Sequence, residues 1–187
     1  MGEKQAQLDQ LKKEIKNDKT LPLFGEANLV FGEGDVNTKI MFIGEAPGFY
    51  EDQQMRPFVG QAGKLLDELL VSIKLPREFV YITNIVKRRP PQNRDPLSEE
   101  IAAYKPYLKK QIQIIQPQVI ATLGRFSMNY FLPTAKISQD HGKLFHLKTI
   151  YIYPLYHPAA ALRSTMVLDA LKKDFNKLPL VLKKAQA

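Results

Sequence analysis

The chain has 187 residues, 44% apolar, 25% charged and 10% aromatic, the composition of an ordinary globular chain long enough to bury one substantial core. It has no cysteine and three histidines, which excludes disulfides, a thiol nucleophile and thiolate-held metals and leaves little for a histidine-rich metal site. Lys plus Arg number 27 against 19 Asp plus Glu, and the net charge of +8 favours a polyanionic partner.

No apolar run approaches the roughly 20 residues of a bilayer span. Met1-Gly2-Glu3-Lys4-Gln5-Ala6 carries neither an apolar signal core nor a myristoylation motif, so a soluble cytoplasmic protein is expected. In chain order, Leu8, Leu11 and Ile15 recur at helical spacing and predict an amphipathic helix over 3–17. Lys39 to Ile43 reads as a buried strand ending at Gly44, and Leu65, Leu66, Leu69 and Leu70 mark a helix over 63–73. A second strand is expected over 79–86, running into Asn84 and Lys87. Pro90, Pro91 and Pro96 enforce a loop from about 88 to 97, and Ser98 can cap a helix through Ile101, Tyr104, Leu108 and Ile112 that Pro117 ends. Val119 to Leu123 is a third strand closed by Gly124, followed by a short helix to about 132. Ile150 to Tyr153 is a fourth strand before Pro154, and a last helix spans about 164–177. Strands separated by helices predict one doubly wound α/β domain over 1–187, with a mostly parallel four-stranded sheet covered on both faces.

In such folds sites gather beyond the carboxyl ends of the strands, and three loops that begin there carry chemistry. Gly44-Glu45-Ala46-Pro47-Gly48 continues through Glu51 and Asp52 to Arg56-Pro57-Phe58-Val59-Gly60. Its carboxylates suit a water or a developing cation and Phe58 offers a flat apolar face; a solvated acidic loop with Phe58 in the core is the plainer alternative. Asn84, at a strand end, can present a donor and an acceptor to the edge of a planar base, or cap a turn. Lys87, Arg88, Arg89 and Arg94 crowd a Pro-stiffened loop with Asn93 and Asp95, which suits phosphate contacts or a solvated basic face. Tyr156-His157-Pro158-Ala159-Ala160-Ala161-Leu162-Arg163 holds one histidine beside a proline and small residues, whereas His141 and His146 read as structural.

Taken together, these motifs, with Tyr81-Ile82-Thr83-Asn84-Ile85-Val86-Lys87 and Asn93-Arg94-Asp95-Pro96, closely resemble the family 4 uracil-DNA glycosylases from about Asn28 to Arg163. The resemblance implies a three-layer α/β sandwich with a central, mostly parallel sheet, acting as a monomer on single- or double-stranded DNA and accepting a flipped-out uracil. It implies catalytic roles for Glu45, which positions water or stabilises the sugar cation, and His157, which hydrogen-bonds the uracil O2, with Glu51 and Asn93 at or near the pocket. Phe58 would stack on the base, Asn84 would read its N3 and O4 edge, and the backbone at Ala46 would lie near it. Lys87, Arg89, Arg94, Leu162 and Arg163 would contact DNA, the last two as a wedge or phosphate clamp.

One departure is large, because the family usually holds an iron–sulfur cluster on four cysteines and this chain has none. The ligand positions fall on Arg88 and Tyr104 and, near the N-terminus, on Asp18 and Leu21; no cluster or other metal is expected. A plug is expected in its place, with Asp18 paired to Arg88 and Leu21 and Tyr104 packed beside them. Two alternatives to uracil hydrolysis are a glycosylase for another deaminated or modified base and a DNA-binding relative that does not cleave.

Overall fold

The structure, a computed structural model, describes residues 2–186, so Met1 and Ala187 of the expected domain lie outside the described residues. The strands are β1 (Glu33–Gly34), β2 (Ile40–Gly44), β3 (Tyr81–Asn84), β4 (Val119–Leu123), β5 (Phe145–Leu147) and β6 (Ile150–Leu155). The helices are α1 (Glu3–Asn17), α2 (Phe49–Gln54), α3 (Gln61–Ser72), α4 (Ser98–Ile115), α5 (Arg125–Phe131), α6 (Ile137–Asp140), α7 (Pro158–Ala161) and α8 (Thr165–Gln186).

The sheet order is β1-β3-β2-β4-β6-β5. Its four central strands are mutually parallel, as expected, while β1 and β5 add antiparallel edges, which makes six strands rather than four. The added strands are two and three residues long, Glu33-Gly34 and Phe145-His146-Leu147, too short to declare a period in sequence.

Alternation along β2 sorts the layers. Ile40 and Phe42 face a core with Leu66, Leu69 and Leu70 of α3 and Leu171, Phe175 and Leu178 of α8. Met41 and Ile43 face the other core, with Leu8, Leu11 and Ile15 of α1 and Tyr104, Leu108 and Ile115 of α4. Each such aliphatic or aromatic side chain contributes about 1.5–3 kcal/mol when fully buried, which is what holds a helix layer on each face of the sheet.

Several boundaries differ from expectation. The second strand is shorter than 79–86, because residues 77–79 form a 3-10 turn. Ser98 is the first residue of α4 rather than its cap; the Glu100 carboxylate accepts from the Leu97 N–H at 2.8 Å instead. The fourth strand runs through Pro154 to Leu155. There the proline carbonyl turns away from β4 to accept from Gly142, past the end of β5, so the missing N–H falls where no strand needs it. The last helix carries Pro179 inside it and reaches Gln186 rather than about 177.

Candidate active site

The chain reverses its direction of winding between β2, whose successor β3 lies on one side, and β4 on the other. A crevice opens beyond the carboxyl ends at such a point. It holds a cavity of about 730 Å³ lined by Glu45, Phe58, Asn84, Gly124, Tyr156 and His157 among others. Glu45 and Ala46 follow β2, Asn84 ends β3, Gly124 and Arg125 follow β4, and His157 follows β6.

Phe58 and Asn84 are pressed together against Gly44. A Cβ on Gly44 would lie 2.5 Å from Asn84 Oδ1 and 2.6 Å from Phe58 Cζ, so only glycine fits. Asn84 is 2% exposed, and its Oδ1 is buried with no hydrogen-bond partner. A buried orphan acceptor costs about 1–3 kcal/mol; of the four such side-chain atoms among the described residues, on Asn84, Gln111, Gln118 and Thr122, only that of Asn84 belongs to a residue lining the cavity. The Phe58 backbone sits in the left-handed region at φ 51°, a strained conformation for an aromatic residue. Arg77 holds it there, donating to the Phe58 carbonyl at 3.0 Å and to that of Pro57, while its guanidinium pairs with Glu33 at 2.9 Å and Asp67 at 3.1 Å.

His157 faces Phe58, ring centroids 5.6 Å apart and tilted 29°. It caps α7, its Nδ1 accepting from the Ala159 N–H at 3.1 Å, which leaves the proton of a neutral ring on Nε2. Burial pushes its pKa down to about 4, against a smaller upward pull from the Glu51 carboxylate, so the ring is neutral at pH 7. Glu45 is pushed the other way, up to about 7, by burial first and by the nearby Asp95 carboxylate second, while Arg125 opposes the rise.

The other expected site residues divide. Ala46, Glu51 and Asn93 line the cavity. Glu51 Oε1 accepts from the N–H groups of Val59 and Gly60, both at 2.8 Å, and so clips the Phe58 loop to α2. Asn93 Oδ1 accepts from Arg89 Nε at 2.6 Å. Leu162 is half-exposed, and Arg163 is exposed and lines the cavity. Arg94 lines the cavity but is committed to the Glu100 carboxylate through two bonds of 2.6 and 2.9 Å.

Lys87 does not reach the surface. It is fully buried, donating to Thr83 Oγ1 at 2.6 Å and to the Asn84 carbonyl at 2.8 Å, and burial holds its pKa well below the usual lysine range. Its place is behind Asn84, not on DNA: the Thr83 hydroxyl it reaches lies on the same face of β3 as Tyr81, which packs with α4.

Two contributors were missing from the sequence reading. Arg125 pairs with Asp95 at 2.7 Å beside Glu45, and the strand-end rule applied to β4 would have found it. Arg77 carries no motif, and only the fold brings it to the Phe58 loop.

The positions matched to cluster ligands do not fit a metal group. Tyr104, Arg88 and Leu21 are buried, and the Arg88 guanidinium donates to Tyr104 Oη at 3.1 Å and lies 5.2 Å from the Phe24 ring centre. The expected Asp18–Arg88 pair does not form; Asp18 accepts from Thr20 and Tyr107 instead, which hold its carboxyl below the usual range. Tyr107 displaces the arginine because it lies one helical turn along α4 from Tyr104, on the side facing the end of α1. Among the described residues no group of His, Asp and Glu side chains is arranged to hold a metal ion.

A family model for the uracil DNA glycosylase superfamily matches residues 31–178. The chain belongs to that superfamily. Within it, the chain is 44% identical to a type-4 uracil-DNA glycosylase of Sulfurisphaera tokodaii, over 91% of this chain and 83% of that one. It is 48% identical to the type-4 enzyme of Saccharolobus solfataricus over 81% and 74%, and 41% identical to that of Archaeoglobus fulgidus over 91% of each. The superfamily match takes in all six strands but not α1, which lies before residue 31 and packs on α4.

Proposed function

We infer that the protein is a DNA repair enzyme, a monofunctional uracil-DNA glycosylase that hydrolyses the bond between uracil and deoxyribose and leaves an abasic site. The observation that carries this reading is the orphaned, buried Asn84 Oδ1 in a cavity walled by Phe58 and a neutral His157. Uracil offers an N3–H to that acceptor and an O4 to the amide N–H, whereas cytosine offers an acceptor and a donor in the opposite order. Phe58 supplies a face for the flipped base.

As the C1′–N1 bond breaks, its electron pair goes to the uracil, and His157 Nε2–H donates to the O2 where negative charge gathers. A neutral donor placed on a developing oxyanion strengthens as the charge grows, which is the differential binding that lowers a barrier. Water forms the new bond to C1′ and gives its proton to the Glu45 carboxylate, whose pKa near 7 suits a base at neutral pH. The same carboxylate faces the cationic sugar. Glu51 and Asn93 position the walls, Ala46 borders the base, and Arg89, Leu162 and Arg163 meet the DNA.

The net charge of +8 supports phosphate contacts on single- or double-stranded DNA. The enzyme works as a monomer in the cytoplasm, and no helix among the described residues is long and apolar enough to cross a membrane. The test is base release from oligonucleotides that each carry one uracil, hypoxanthine or thymine. Free uracil alone supports the reading; release of another base but not uracil, or tight DNA binding with no release at all, overturns it.

A further inference from the structure

Beside the cavity, α2 contributes nothing to either core, since none of its six residues is buried. Its first two residues are large aromatics left in water, Phe49 at 45% and Tyr50 at 56% exposure. They are ordered against each other, ring centroids 5.4 Å apart and planes at 80°. The Arg89 guanidinium lies 5.1 Å from the centre of the Phe49 ring, and its Nε is held by Asn93 of the cavity wall. Tyr50 lies along Gly60, where a Cβ would stand 3.5 Å from its Cδ2. Cavity wall, Arg89, Phe49, Tyr50 and the Glu51-clipped loop thus form a continuous rim.

We propose that Phe49 and Tyr50, with Arg89, form a stacking platform for an unpaired base that flanks the flipped nucleotide on the same DNA strand. The proposal rests on the uracil-DNA glycosylase reading and names the form of DNA that this rim takes. Every base has a π-face, so such a platform is indifferent to sequence, and a guanidinium beside it answers the neighbouring phosphate. The acidic neighbours keep their charge but are turned to the backbone, Glu51 to the Val59 and Gly60 N–H groups and Asp52 to that of Asn28, while Arg89 is the charged group placed against the Phe49 ring. A flanking base within a duplex is paired and stacked on its neighbours and is not free to leave them, so the platform favours single-stranded DNA.

The test is a cycle between protein and substrate. Single-stranded oligonucleotides with one central uracil carry either normal flanking bases or abasic spacers on both sides, and kcat/KM is measured for the parent and for Phe49→Ala/Tyr50→Ala. The parent loses about ten-fold when the flanking bases are removed, and the double variant less than two-fold. Phe49→Trp keeps the parent's sensitivity. The same cycle on Kd, read by anisotropy with thymine in place of uracil, needs no base release and decides the platform even if the glycosylase reading fails. Equal losses for parent and double variant in both cycles overturn the proposal. The melting temperature of each variant is measured alongside, and α2, with no buried side chain, gives no reason for it to fall.

Discussion

The Nδ1 of His157 accepts the backbone N–H of Ala159 at 3.1 Å, so one hydrogen bond to the start of α7 fixes which ring nitrogen carries the proton. With the pKa pushed down to about 4 by burial, the ring is expected to stay neutral with Nε2 protonated from pH 5 to 9. Nitrogen NMR of the ring checks this directly, and a titration of His157 near 6.5 would contradict it. The lowered value also carries a stability sign. The group favours the folded state fully above its unfolded value of 6.5, and that contribution is lost as pH falls toward 4.

Glu45 has the opposite sign. Its folded pKa, raised to about 7, means that ionising it in place opposes folding as pH rises from 4.5 to 7. Glu45→Gln is therefore expected to raise the melting temperature more at pH 8 than at pH 5. In kinetics the parent's base release rises through pH 7, whereas Glu45→Gln is slow and flat over the same range. A parent profile already level from pH 5 would rule out Glu45 as the base.

Gly44→Ala places a methyl group on both Asn84 and Phe58, at 2.5 and 2.6 Å. Neither can retreat easily: Asn84 is backed by Lys87, and Phe58 is clamped by Arg77 and abutted by Gly63, whose own Cβ would lie 1.9 Å from the Phe58 carbonyl oxygen. The expected outcome is a fall in kcat/KM of about 100-fold, corresponding to about 3 kcal/mol of lost stabilisation, with Phe58 or Asn84 displaced in a crystal structure of the variant.

Lys87→Met separates burial from charge. Removing the amine leaves Thr83 Oγ1 and the Asn84 carbonyl without their donor, a cost of about 1–3 kcal/mol in unfolding free energy. The slope of log Kd for DNA against log salt is expected to stay as in the parent. Arg163→Ala, on the exposed rim, instead lowers that slope by about 0.7–0.9 and leaves the unfolding midpoint nearly unmoved. Denaturant titration and salt-dependent anisotropy distinguish the two.

The central strands and both helix layers were legible because their residues repeat with the right period: Ile40 to Ile43 is apolar throughout, and α3 repeats leucines at helical spacing. The edge strands were not, since β1 is Glu33-Gly34 and owes its existence to pairing with β3 alone. Asn84, Phe58, Glu45 and His157 could be named from their strand ends and family motifs, and the fold brings all four to one cavity. The direction of a side chain was not legible. Lys87 sits in a basic run with Arg88 and Arg89, yet it points inward while Arg89 reaches the rim, a difference set by where the chain turns after β3. Likewise Asp18 and Arg88 have complementary charges, but Tyr107 occupies the place beside Asp18.

The most direct measurement is single-turnover release of uracil from an oligonucleotide carrying one uracil, by the parent and by His157→Ala, with DNA affinity measured in parallel. Release by the parent and a rate about 100- to 1,000-fold lower in the variant are expected, with DNA affinity little changed. Equal rates in the two proteins, or no release by a parent that still binds DNA, would contradict it.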